Sequence, residues 1–129
     1  MALEGVALIP ALVYGGLIGL LEVIFVHSDE SGMGWFKHAV HAFPFAVIFA
    51  FISMNAPFVL GYFNLVLPFN EVFIYAGIAL IALLKIQTAA AIAGKTGEKF
   101  THTIIIALLI FAAPYVHQYI WPLLPSYLQ

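Results

Sequence analysis

The chain has 129 residues, of which 64% are apolar and 8% charged, and its mean hydropathy is +1.10. Ordinary globular domains carry about 45–50% apolar and 25% charged residues, and four basic residues with six carboxylates cannot clothe a domain of this size in polar groups, which excludes a water-soluble fold. A net charge of −2 with no basic cluster excludes nucleic acid as a partner, and zero cysteines exclude disulfides, thiolate nucleophiles and Cys-ligated zinc or iron–sulfur centres.

The first apolar segment covers residues 6–26. It is preceded by Glu4 and by no Lys or Arg, and its apolar run is too long for a signal peptide, so it is expected to stay in the mature protein. An apolar helix needs about 20 residues to cross the ~30 Å hydrocarbon layer, and this segment meets that length. Ala11, Gly15 and Gly19 recur every fourth residue along it, and Glu22 follows on the same face. Small residues let transmembrane helices approach closely, so Gly15 and Gly19 are assigned to helix packing and Glu22 is expected to point into the bundle.

A short polar loop containing Asp29, Glu30 and two glycines leads to the second segment, residues 36–56. Its stripe of Ala39, Ala42, Ala46, Ala50 and Ser53 predicts a second packing face, with Ala42, Ala46 and Ala50 at its centre. Pro57 is expected to end or kink this helix. The apolar stretch that follows, FVLGYFNLVLPF, is too short to span a membrane and reads as an interfacial or re-entrant segment. Asn70 and Glu71 then supply an N-cap and a first-turn acid for the third segment, residues 72–93. The loop GKTGE leads to the fourth, residues 100–121.

These elements predict an all-α integral membrane protein: a single domain of four transmembrane helices arranged as two antiparallel hairpins, with the interfacial segment between helices two and three. Lys37, Lys95 and Lys99 lie at the two hairpin loops and Lys85 lies toward the same end. By the positive-inside rule the loops are cytoplasmic and both termini are outside.

Glu22 and Lys85 are the two ionisable residues well inside predicted spans, where a lone charge costs several kcal/mol and marks either a pair or a pathway. Their similar depth and opposite sign predict an ion pair between the first and third helices, serving either structure or an ion relay. His27, His38, His41 and His102 collect at the loop end. Imidazole is a common ligand of transition metals, so these four form the candidate metal set, and haem b bound through His102 opposite His38 or His41 is a related option. Helical phase argues against a tight centre, since His38 and His41 fall about 80° and about 140° from the middle of the small-residue stripe. The sequence requires no cofactor.

No nucleophile triad, phosphate loop, dinucleotide fingerprint or catalytic carboxylate pair is present, and no catalytic activity is expected of this chain alone. Two functions remain. One is an accessory or assembly subunit packed among other membrane-protein subunits of a larger membrane complex, an energy-converting one being an option. The alternative is an oligomeric proton or metal-ion transporter or channel subunit using Glu22, Lys85 and the loop-side histidines. Expected partners are the lipid bilayer and either other subunits or copies of itself.

Overall fold

The computed structural model describes residues 5–29, 35–93 and 99–126, without the side chains of His38, His41 and residues 89–93. Among the described residues all regular structure is helical. In chain order the helices are α1 (Leu8–Asp29), α2 (Trp35–Met54), α3 (Ala56–Tyr62), α4 (Glu71–Ala93) and α5 (Phe100–Ile120), the last continuing into a 3-10 turn at Trp121–Leu123. Four of them, α1, α2, α4 and α5, are long and apolar enough to cross a membrane. At 1.5 Å per residue, the 20 residues of α2 give about the ~30 Å that the hydrocarbon layer requires.

The helix ends differ from the sequence expectation in informative places. The first helix runs on to Asp29, whose side chain is held by the start of α5. The second stops at Met54 because Asn55, with φ −115° and ψ 29°, steps out of helical geometry. The departure is slight, since the Asn55 amide still donates to Phe51 O at 2.9 Å and Val59 N donates to Asn55 O at 3.0 Å. Pro57 falls in the first turn of α3, where a missing N–H costs no hydrogen bond. It opens a new short helix and is not itself the break in α2. Residues 63–70 then run without regular structure to α4.

Close approach of α1 and α2 organises the bundle, and theirs is its most extensive interface. A Cβ at Gly15 would lie 2.9 Å from Val47 Cα and 3.2 Å from Ala50 Cβ, and one at Gly19 would meet the Phe43 ring at 2.8 Å. Any side chain at Gly15 would therefore push against backbone. Ala42, Ala46 and Ala50 are buried, with Ala46 and Ala50 in a central cluster with Ile18, Ala82, Ile86, Ile106 and Ile110. Helix α5 touches α1, α2 and α4, and α2 touches α4, but α1 and α4 share no comparable interface. The helices α2 and α5 thus stand between α1 and α4. Large apolar side chains such as Leu17, Leu20, Leu80 and Leu108 face outward, as a lipid-facing surface requires.

Candidate functional site

Polar contacts concentrate at the end of the bundle where α1 finishes and α5 begins. Glu22 lies two turns before the end of α1 and is only 2% exposed. Seven residues further, on the same face, the Asp29 carboxylate is 1% exposed and is gripped from α5. The Lys99 amide donates to Asp29 Oδ2 at 2.9 Å, and Lys99 Nζ lies 3.2 Å from Oδ1. His102 Nδ1 lies 2.6 Å from Oδ2. Lys99 is the N-cap position of α5 and has no side-chain cap of its own. Asp29 supplies the cap from a different helix, placing negative charge where exposed amides and the helix dipole favour it.

His102 is further fixed by stacking on Phe25, with ring centroids 4.2 Å apart and planes at 14°. His27 stacks instead on Trp35 at 3.8 Å, across the start of α2. The two described histidines of the candidate metal set therefore engage different partners, while the side chains of His38 and His41 lie outside the described residues. Among the described residues no group of three or more His, Cys, Asp or Glu is placed to hold a metal ion. His117, at the far end of α5, lies beside Trp121 at 5.7 Å.

Glu22 and Lys85 are not brought together: among the described residues no ion pair joins them. The Lys85 side chain is exposed, with its ammonium 5.1 Å from the centroid of the Phe45 ring on α2. A cation over an aromatic face with its stem along apolar surface keeps its charge accessible. The physical reason is azimuth, since α1 and α4 lie on opposite sides of α2 and α5. Equal depth and opposite sign carry no information about which helices are neighbours.

Sequence reasoning placed Asp29 only in a polar loop and passed over Gln87 and Thr103. Gln87 Nε2 donates to the fully buried Thr103 Oγ1, joining α4 to α5. Deeper in the bundle, the Tyr14 hydroxyl donates to Leu109 O at 3.0 Å, joining α1 to α5.

At the opposite end a neutral side chain ties α1 to α2. Buried Asn55 accepts the Ala7 amide at 2.7 Å, capping the start of α1, and its Nδ2 donates to Phe51 O at 3.0 Å. Ser53 beside it is fully buried, and its hydroxyl makes no hydrogen bond among the described residues. Next to this end an apolar groove of about 340 Å³ runs between α2, α3, residues 63–70 and α4. Every residue from 61 to 73 is exposed.

The chain matches no known family model, curated protein or solved structure.

Proposed function

We propose that this chain is a small accessory or assembly subunit, packed against a larger partner in a membrane complex. The supporting observation is the exposed segment 61–73. Val66 is 95% exposed, and Phe63, Phe69 and Phe73 all face outward. The backbone amides of Val66, Leu67 and Phe69 make no hydrogen bond among the described residues. At the interface water or headgroups can meet these amides, whereas the apolar side chains still lack cover. A protein partner at the membrane interface satisfies both, and apolar patches of this kind mark such contacts. In this reading α1–α2 and α4–α5 form two antiparallel hairpins whose turns, beside Lys37 and Lys99, face the cytoplasm, and residues 57–70 lie at the outer interface between them.

The test combines purification in mild detergent with a photo-crosslinking residue at position 66 in the native membrane. The expected result is one other protein in fixed ratio to the chain, crosslinked from position 66. Isolation of the chain alone, or crosslinks only to lipid or to its own copies, overturns the proposal. A second reading, proton movement within an oligomer, is favoured by one observation, the burial of Glu22. Proton flux in vesicles that Glu22→Gln leaves unchanged would dismiss it.

A further inference from the structure

On the subunit reading above, we infer that the partner seats a transmembrane helix along the face shared by α2 and α4, and that this helix carries an aspartate or glutamate paired with Lys85. Lys85 is the fifteenth of the 23 residues of α4. It lies about 21 Å from the start of that helix and about 12 Å from its end, so its backbone is well inside the hydrocarbon layer. Helical side chains lean toward the N-terminus, which for α4 points away from the nearer end. The ammonium accordingly stands 5.1 Å from the centroid of Phe45, the eleventh of the 20 residues of α2 and thus midway along it.

A charge at this depth normally faces the bundle interior and is paired there. Lys85 is exposed instead, and no carboxylate among the described residues lies within ion-pair distance of it. The ring face of Phe45 offsets only part of what the ammonium loses with its water, and an anion outside the chain supplies the rest. The nearer lipid phosphates lie beyond the hydrocarbon layer, on the side from which the Lys85 side chain leans away. A second copy of the chain offers no carboxylate either. Among the described residues Glu22 is only 2% exposed, Asp29 is held by Lys99 and His102, and Glu71 opens α4, about 21 Å from Lys85.

The same face has room for a neighbouring helix. Gly77, Ile78 and Ile81 line the groove between α2 and α4, and Lys85 follows Ile81 by four residues on the same side of α4. On α2, Ile52 in the groove and Phe45 are seven residues apart, again on one side. Groove and cation are therefore one continuous surface, apolar except for Lys85. A Cβ at Gly77 would meet nothing within 4 Å, so packing within this chain does not call for glycine there, whereas a second helix gains close approach from it. Toward the outer end the groove is bordered by Leu67 and Phe69, which belong to the exposed segment 61–73, and one partner covers both.

The experiment uses the full chain in its native membrane. A photo-crosslinking residue at position 81 is expected to capture the same protein as one at position 66. Carbodiimide condenses a carboxylate with an amine and itself takes up the water as a urea. It is expected to join Lys85 to an Asp or Glu in an apolar segment of that protein, read by mass spectrometry. Lys85→Met is expected to lower the co-purified partner tenfold or more, and Lys85→Arg to keep it within twofold. Unchanged amide exchange in Lys85→Met would separate a lost pair from a lost fold. Capture from position 66 but not from 81, co-purification that Lys85→Met leaves within twofold, or coupling of Lys85 to a second copy or to nothing would each overturn the inference and leave the subunit reading standing. Capture of lipid alone from both positions would remove that reading as well.

Discussion

At one end of the bundle the carboxylate of Asp29 gathers an amide, an ammonium and an imidazole from α5. At the other, the amide side chain of Asn55 holds the Ala7 N–H and the Phe51 carbonyl with no charge involved. Each is a helix cap supplied by a residue distant in sequence, and each ties α1 to a neighbour. The chemistry differs because the surroundings differ. Asp29 sits where Lys99 and His102 reach water, so a charge can be kept there with its counter-charge partly solvated, whereas Asn55 sits in a buried break between α2 and α3, where a lone carboxylate would be costly. One end is therefore charged and partly open to solvent, and the other is tied by a neutral amide beside the exposed apolar segment 61–73. The charged cap and the exposed apolar segment occupy opposite ends of the same four helices.

The largest expected effect comes from breaking the seam that both ends depend on. Gly15→Leu puts a branched side chain where even a Cβ meets Val47 Cα at 2.9 Å, and overpacking of this kind costs about 3 kcal/mol. Denaturation in detergent should show that loss, and amide exchange should rise at both ends together. Asp29→Ala is more selective. It removes a buried acceptor of charge-assisted hydrogen bonds, worth about 2–3 kcal/mol, and since the Lys99 side chain is 66% exposed the ion-pair share of that is small. Amide exchange should accelerate in the first turn of α5 and not at the start of α1. Asn55→Ala should do the reverse at about 1–2 kcal/mol, because it orphans the Ala7 N–H. A variant that loosened both ends equally would show that the two caps are one cooperative unit.

The four spans were legible in the sequence because length and hydropathy are all that crossing a membrane demands. The small residues of the α1–α2 seam were legible for a related reason: close approach needs Gly and Ala at helical spacing, and Gly15, Ala46 and Ala50 show it openly. What the sequence hides is which helices are neighbours. Lys85 matches Glu22 in depth and sign, yet it stands on a helix with little contact to α1, and its charge rests on Phe45. Asp29, 70 residues from Lys99, looks like an ordinary loop acid until α1 and α5 are known to touch. Asn55 was missed as a cap for the same reason, its acceptor role being defined by Ala7, 48 residues away.

The smallest expected effect probes whether the ends communicate. Tyr14 packs against both apolar clusters of the bundle, and its hydroxyl reaches Leu109 O at 3.0 Å. Tyr14→Phe keeps the ring and deletes one interhelical hydrogen bond, of a kind that averages about 0.6 kcal/mol within membranes. With the seam intact and both caps in place, amide exchange at Lys99 and at Ala7 should rise slightly and by the same factor, since the lost bond lies between them. A rise confined to the Lys99 end would mean that Tyr14 steadies the α5 segment carrying His102. A rise confined to the Ala7 end would leave the charged end self-sufficient, held by Asp29 alone.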